Sequence, residues 1–236
     1  MNKITAAITA VGSYVPDYVL SNKVLETLVD TNDEWITSRT GIKERHIVTD
    51  EDTTDLGYEA SLKAIEDAGI DKSEIDLLVV ATVTPDNYFP GVSNVLQARL
   101  DLKEVMTFDI NAACSGFVYA LNVADKMIKS GAYNNALVVG AETLTRLTDW
   151  RDRNTCVLFG DAAGAILEFC HEDITKEKAL RAMTMPGGGC IRVGPGQITD
   201  DGELALSLWR GLHRTNAHNT NNFPYRECLE EYVKWY

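Results

Sequence analysis

Short apolar runs alternate with helical patterns from residue 4 to about residue 170 of the 236-residue chain. The runs at 4–11, 76–83 and 105–110 are rich in branched residues and are typical of buried strands. The segments 54–68 and 112–130 carry apolar residues at helical spacing, and a glycine follows each. Strands that alternate with helices need crossover connections, so the pattern predicts an α/β fold with a mainly parallel sheet between helices.

Composition and charge exclude several classes of protein. With 22 basic and 35 acidic residues the net charge is −13, which argues against nucleic acid and anionic membrane surfaces as partners. No apolar run approaches the ~20 residues that span a bilayer, and no signal peptide is recognisable at the N-terminus. Five cysteines without a CxxC pair predict reduced thiols in a cytoplasmic protein, and no His/Cys spacing predicts a metal site.

One cysteine has a setting that favours chemistry. The sequence Phe-Asp-Ile-Asn-Ala-Ala-Cys-Ser-Gly-Phe at 108–117 places Cys114 where a strand leads into a long helix. Unpaired backbone N–H groups and the dipole at a helix start favour a thiolate, and small neighbours admit a substrate carbonyl. The pattern therefore suits a covalent nucleophile, with a buried packing cysteine as the alternative. The other four cysteines have no comparable setting.

A second candidate feature is an aromatic residue beside arginine. The spacing of Thr31 and Glu34 predicts a capping box at the start of a helix that should end near Gly41. Trp35 and Arg39 are four residues apart in this helix and therefore share one face. An indole beside a guanidinium can bind a base and a phosphate, and Arg151 and Arg153 add a further basic spot. A core tryptophan next to a solvated arginine is the alternative explanation.

Four segments together resemble one known family. They are Asp-Glu-Trp-Ile-Thr-Ser-Arg-Thr-Gly-Ile at 33–42, Asn-Ala-Ala-Cys-Ser-Gly-Phe at 111–117, Asp-Arg-Asn-Thr at 152–155 and Phe-Gly-Asp-Ala-Ala-Gly-Ala at 159–165. On these segments the chain resembles β-ketoacyl-acyl-carrier-protein synthase III, a family of thiolase-fold condensing enzymes, from about residue 4 to residue 169.

The resemblance implies a fold and a division of the chain. Residues 1–170 are expected to form one thiolase-like βαβαβαββ half, with a mixed, mostly parallel sheet between helices. Residues 171–236 match nothing in the family and are expected to form an irregular C-terminal segment. The resemblance also implies a cytoplasmic acyltransferase of fatty-acid synthesis initiation, which condenses an acyl-CoA primer held on Cys114 with malonyl-acyl-carrier protein. Acyl-CoA is then a substrate, and no separate cofactor or metal is expected.

The resemblance assigns roles to five further residues. Trp35 and Arg153 would stack on the adenine of CoA, and Thr31 would lie in the same site. Arg39 would lie near the CoA phosphates. Phe89 would reach into the acyl pocket of the partner subunit, which implies a homodimer.

The sequence also departs from the family. The Pro-His-Gln-Ala-Asn and Asn-Thr-Ser motifs, which carry the catalytic His and Asn of a second half, do not occur in it. A disrupted gene with a foreign tail, a divergent protein and a missing segment are three explanations that stay open. The alternative function is a truncated half-domain that binds or accepts acyl groups from acyl-CoA without condensation. We expect these 236 residues to accept an acyl group on Cys114 but to condense it poorly or not at all.

A third hypothesis is a cysteine hydrolase with a nucleophile elbow. Residues 112–116, Ala-Ala-Cys-Ser-Gly, fit the small-x-nucleophile-x-Gly spacing of that motif. The hypothesis leaves the matches around Trp35, Arg39 and Arg153 unexplained, so we rank it last.

Overall fold

A five-stranded sheet with helices on both faces forms the main body of the computed structural model, which describes residues 6–170. The strands are β1 (Ala6–Tyr14), β2 (Tyr18–Ser21), β3 (Glu44–Ile47), β4 (Leu77–Ala81), β5 (Met106–Ile110), β6 (Asn135–Thr143) and β7 (Asp161–Cys170). The helices are α1 (Asn22–Leu25), α2 (Asp33–Thr40), α3 (Thr53–Ala68), α4 (Val92–Arg99) and α5 (Gly116–Lys129). Short 3-10 turns occupy Lys72–Glu74, Ala113–Ser115 and Leu144–Arg146.

The sheet is mixed, with one reversed strand. Its order is β1-β7-β6-β4-β5, in which β4 pairs parallel to β5 and β6, and β7 pairs antiparallel to β6 and β1. All strands of this sheet except β7 therefore run in one direction, which confirms the predicted mostly parallel sheet. The path β1-α3-β4-α4-β5-α5-β6-β7 is the predicted βαβαβαββ order.

The two faces of the sheet bury alternate residues of each strand. On β4, Leu78 and Val80 pack into a cluster with residues of α3 and α4, whereas Leu77 and Val79 pack into a cluster with residues of α5. This alternation follows from the two-residue period of a strand. A side-chain carbon at Gly12 would overlap the backbone of α3, so this glycine allows the helix to lie directly on β1.

An insertion between β1 and α3 was not predicted in full. It contains a two-stranded antiparallel sheet of β2 and β3, together with α1 and α2. Each of these strands has four residues and buries only one of them, so neither produces a recognisable apolar run. The insertion shares a small apolar core with residues 156–157, which lie between β6 and β7, and this insertion core is formed by Leu20, Leu25, Ile36, Cys156 and Val157.

The predicted C-terminal segment, 171–236, lies outside the described residues, so the division of the chain at residue 170 stays a prediction.

Candidate active site

Cys114 lies in the turn Ala113–Ser115, which we call the Cys114 turn and which joins β5 to α5. Its side chain is exposed. Ala113 has a φ of 48°, a left-handed conformation that is uncommon for a residue other than glycine and that often marks a constrained functional turn. Gly116 follows the turn, and a Cβ there would lie 3.4 Å from that of Ala81, at the end of β4. The turn therefore lies at the carboxyl edge of parallel strands, where α/β proteins bind ligands.

The start of α5 differs from the prediction. The sequence pattern places the helix start at Ala112, but α5 begins at Gly116, and Cys114 lies in the 3-10 turn before it. The N-cap residue, Ser115, makes no side-chain capping hydrogen bond. Cys114 thus precedes a helix N-terminus whose first N–H groups are not capped by that side chain, an arrangement that favours negative charge nearby.

The other described cysteines are less accessible. Cys156 is buried in the insertion core, and this burial raises the pKa of its thiol. Cys170 is half-buried at the end of β7. Cys190 and Cys228 lie outside the described residues. Among residues 6–170, Cys114 is therefore the exposed thiol.

The structure brings three of the predicted CoA residues together in what we call the Trp35 cluster: Trp35, Arg39 and Arg153. The guanidinium carbons of Arg39 and Arg153 lie 4.7 and 5.3 Å from the centroid of the Trp35 ring. These distances are within the range of cation–π interactions. Arg153 also forms an exposed ion pair with Asp30, at 3.5 Å. The second predicted basic residue, Arg151, does not join the cluster, because its side chain is 94% exposed and pairs with Asp149.

Local sequence explains how α2 presents Trp35. Asn32 caps the helix by accepting a hydrogen bond from the backbone N–H of Trp35 at 2.7 Å, and Gly41 ends the helix with a φ of 73°. The end at Gly41 was predicted. The predicted capping box of Thr31 and Glu34 is wrong by one residue, because the Asn32 side chain takes the capping position. The Thr31 hydroxyl is buried and has no hydrogen-bond partner among the described residues.

Phe89 lies in the connection between β4 and α4 with its side chain 88% exposed. The ring is therefore not packed against the described part of its own subunit. Asp109 on β5 accepts hydrogen bonds from the N–H groups of Val92 and Ser93, both at 2.8 Å. This carboxylate anchors the start of α4, and hence the end of the Phe89 loop, to the strand that leads to Cys114.

Sequence reasoning missed a buried polar network behind the Trp35 cluster. Arg45 and Asn22 are both almost completely buried in the insertion and are hydrogen-bonded to each other. An arginine within a four-residue strand gives no sequence signal that distinguishes it from a solvated one. The burial of Arg45 depends on Val157, which lies 112 residues further along the chain.

Other classes of site find no support in the described part of the chain. Its histidine, His46, lies on β3, and the Nδ1 atom of its ring is 2.6 Å from the carbonyl oxygen of Pro16. No group of three His, Cys, Asp or Glu side chains in residues 6–170 is arranged to hold a metal ion. No helix in that range is both long and apolar enough to cross a bilayer.

Comparison with known proteins defines the class to which this fold belongs. Over 71% of the chain, the structure matches the crystal structure of 3-oxoacyl-[acyl-carrier-protein] synthase III from Aquifex aeolicus VF5, with a TM-score of 0.70 and 50% identity, and covers 55% of that protein. It matches the β-ketoacyl-[acyl-carrier-protein] synthase III of Thermus thermophilus with a TM-score of 0.67 and 30% identity, covering 86% of this chain and 68% of that one. The described residues therefore form half of a thiolase-like condensing-enzyme fold.

The sequence comparisons identify the family. The chain is 59% identical over 172 residues to β-ketoacyl-[acyl-carrier-protein] synthase III of Xanthomonas campestris pv. campestris strain 8004, which is 72% of this chain and 53% of that protein. The family model for 3-oxoacyl-[acyl-carrier-protein] synthase III matches residues 108–176. The chain belongs to the 3-oxoacyl-[acyl-carrier-protein] synthase III family, and it spans about half the length of the curated relatives it matches.

A second family model matches the end of the chain. The ADP-ribosylglycohydrolase model matches residues 155–236 and overlaps the synthase model between residues 155 and 176. The synthase model ends at residue 176, and the rest of the C-terminal segment is similar to a different family. No motif in the sequence analysis anticipated this similarity.

Proposed function

We propose that this chain carries the acyl-loading half of an acyltransferase of fatty-acid synthesis initiation. The reaction condenses an acyl-CoA primer, held on Cys114, with malonyl-acyl-carrier protein. The observation that carries the proposal is the exposed thiol of Cys114 in a constrained turn at the carboxyl edge of the sheet. Membership of the synthase III family supports the same assignment.

In the loading step, the Cys114 thiolate attacks the thioester carbonyl of acyl-CoA. The new carbon–sulfur bond forms as the bond to the CoA sulfur breaks, and CoA leaves as a thiolate that takes up a proton. The uncapped start of α5 stabilises the attacking anion. This chemistry uses acyl-CoA as a substrate and needs no metal or redox cofactor.

The Trp35 cluster is the proposed binding site for the nucleotide end of CoA. Trp35 and Arg153 offer surfaces for stacking on adenine, and Arg39 offers a charge for a phosphate. Thr31, which directly precedes the N-cap of α2, is included in the same proposed site. A chain with a net charge of −13 can bind a polyanion in this way because the local charge at the site outweighs the distant negative charges.

In the condensation step, malonyl-acyl-carrier protein loses carbon dioxide. The resulting enolate attacks the acyl carbon, and the Cys114 thiolate leaves. The enolate charge needs hydrogen-bond donors, and loss of one such donor typically costs ~10²–10³ in rate. The family resemblance places these donors in a His and an Asn of motifs that this sequence does not contain.

The relatives named above are all synthases, so a half-domain that accepts acyl groups without condensing them is not favoured as the function of the family. The expected poor condensation concerns these 236 residues alone, in which the His and Asn motifs do not occur. The test is to incubate the 236-residue chain with acetyl-CoA and malonyl-acyl-carrier protein and to follow β-ketoacyl product and acylated protein together. Product formation supports condensation. Acylated Cys114 without product would establish the alternative, and the expected poor condensation by these residues is decided in the same assay.

The same proposal includes a cytoplasmic homodimer in which Phe89 enters the partner's acyl pocket. The exposure of Phe89 and its anchored loop support this arrangement, since an exposed aromatic side chain gains most from burial in a partner. Sedimentation equilibrium should give a dimer at micromolar concentration, and Phe89→Ala should shift it towards monomer. A monomeric wild-type chain would contradict the proposal.

The match at residues 155–236 supports a second candidate function for the C-terminal segment alone, hydrolysis of an ADP-ribosyl bond. We rank it lower, because only 82 residues match and they include β7 of the synthase fold. An assay of ADP-ribose released from an ADP-ribosylated protein measures this hydrolase activity. The absence of any release above a heat-denatured control would exclude it.

A further inference from the structure

A buried arginine connects the two segments that carry the Trp35 cluster. Arg45 on β3 is only 3% exposed and forms no ion pair within residues 6–170. Burial lowers the pKa of its guanidinium group. A buried cation without a counter-charge destabilises the fold unless hydrogen bonds satisfy its donors. The partners of Arg45 therefore indicate what the fold gains by keeping it.

On one side, Arg45 holds the segment that follows Arg153. Its Nε and Nη2 atoms both donate to the carbonyl oxygen of Val157, at 3.0 and 2.6 Å. Val157 is linked to Arg153 by a compact turn, in which the N–H of Cys156 donates to the carbonyl oxygen of Asp152 at 3.0 Å. Fixing Val157 consequently fixes the backbone from which the Arg153 side chain extends.

On the other side, Arg45 holds α2 through Asn22. The Nη1 atom of Arg45 donates to Oδ1 of Asn22 at 2.9 Å. The Nδ2 atom of Asn22 donates to Asp33 at 2.7 Å and to the carbonyl oxygen of Ile42 at 2.8 Å. Asp33 is the first residue of α2 and Ile42 follows its C-cap, so Asn22 contacts both ends of the helix that presents Trp35.

Apolar packing alone would not fix this arrangement. The insertion core contains Leu20, Leu25, Ile36 and Val157, but apolar contacts are non-directional and tolerate sliding of one element on another. The hydrogen bonds of Arg45 are directional and reach both segments from one planar group. They define one separation between α2 and the turn that links Arg153 to Val157.

We infer that Arg45, acting through Asn22 and Val157, is a positioning residue that holds Arg153 on the ring of Trp35, beside Arg39 of the same helix. It sets the affinity of the site for the nucleotide end of CoA without contacting the ligand. The inference deepens the proposed function and rests on it only for the identity of the ligand.

The first test needs no ligand. The chain is labelled with 5-fluorotryptophan, and the fluorine resonance of Trp35 is assigned with Trp35→Phe. Arg153→Ala moves this resonance by an amount that defines the scale, because it removes a cation from the ring. Arg45→Met should move the Trp35 resonance by at least half that amount, and Arg45→Lys by less. Ser61→Ala, which removes a buried hydroxyl bonded within α3, is the matched control and should not move it.

The second test measures CoA binding by calorimetry. Arg45→Met should weaken it about fivefold, an effect equal to the loss of one typical hydrogen bond. Arg153→Ala should cost about tenfold in the wild-type chain but less than about twofold in the Arg45→Met background, because the two changes disturb one unit.

The outcomes separate the two proposals. An unmoved Trp35 resonance in Arg45→Met, or additive losses of affinity, would overturn the inference. A wild-type chain that does not bind CoA would overturn the proposed ligand, while the fluorine spectra would still decide the role of Arg45. If Arg45→Met does not fold, Asn22→Ala is the second variant: it removes one of the three hydrogen bonds of Arg45 together with those of Asn22 to Asp33 and Ile42, and so breaks the link to α2. An unmoved Trp35 resonance in Asn22→Ala would also overturn the inference.

Discussion

The Trp35 cluster and the Cys114 turn differ in how many of their contacts come from residues 6–170. In the cluster, both arginines contact the ring, and buried hydrogen bonds hold the segments behind it. In the turn, the thiol is exposed and has no hydrogen-bond partner within the described residues. Under the proposed function, CoA binding can therefore depend on this part of the chain alone, whereas proton transfer at Cys114 would require water or groups elsewhere.

The largest expected effect concerns the reactivity of the thiols. Cys114 should be alkylated by iodoacetamide about 100-fold faster than Cys156, because Cys156 is buried and its pKa is raised. Peptide mapping after limiting alkylation measures both rates in one sample. Equal labelling of the two cysteines would mean that the turn gives Cys114 no advantage.

A substitution in the main sheet, away from both sites, separates effects on stability from effects on the sites. Glu168 on β7 is buried, and burial together with the nearby Asp125 raises its pKa to about 7. Between the unfolded value of 4.5 and about 7, the folded protein holds a proton that the unfolded chain has lost, so this group lowers stability as pH rises. Glu168→Gln should remove roughly 1–3 kcal/mol of that loss by pH 8.

Denaturant unfolding at pH 5 and pH 8 measures the effect. The difference in unfolding free energy between the two pH values should be smaller in Glu168→Gln than in the wild-type chain. CoA affinity and Cys114 alkylation should stay unchanged, which makes the variant a control for stability effects at both sites. An unaltered pH dependence would show that Glu168 is ionised in the folded protein.

A tenfold effect is expected at the Trp35 cluster. Arg39→Ala should raise the CoA dissociation constant by about tenfold and should leave the alkylation rate of Cys114 unchanged. Binding by the wild-type chain should also weaken with salt, because exposed charges are screened within ~8–10 Å at physiological ionic strength. Calorimetry that finds wild-type affinity in the variant would contradict the assignment of the cluster.

The smallest expected effect comes from Asp30. Its fully exposed carboxylate pairs with Arg153 at 3.5 Å, and under the proposed function it would compete with CoA for that side chain. Asp30→Asn should strengthen CoA binding by about twofold, because exposed ion pairs contribute little. Glu34→Gln, which removes a nearby exposed charge without an ion pair among the described residues, is the control. Equal effects of the two variants would indicate only a general change in charge.

The parts of the fold that local sequence determines were predicted well. The continuous apolar run of β4 and the helical pattern of α3 gave the correct element types, and Gly41 ended α2 as expected. The two-stranded sheet was missed, because β2 and β3 are short and mostly unburied. Local pattern therefore determines the main sheet, but not the insertion.

In the candidate site, too, local sequence revealed some residues, and contacts between distant parts of the chain hid others. Trp35 and Arg39 share a helix, so their spacing revealed the pair, whereas only the resemblance connected Arg153 to them. Arg45 was missed because its role depends on a partner 112 residues away. The left-handed Ala113 was missed as well, since neither propensity nor periodicity favours that conformation for alanine.

Transfer of an acyl group from CoA to Cys114 is the central claim, and intact-mass spectrometry with peptide mapping tests it most directly. After incubation with acetyl-CoA, the wild-type chain should gain one acetyl group on the peptide that contains Cys114. Cys114→Ser should gain none, and Arg39→Ala should reach the same mass only at higher acetyl-CoA. An unmodified wild-type chain, or an acetyl group on another residue, would contradict the claim.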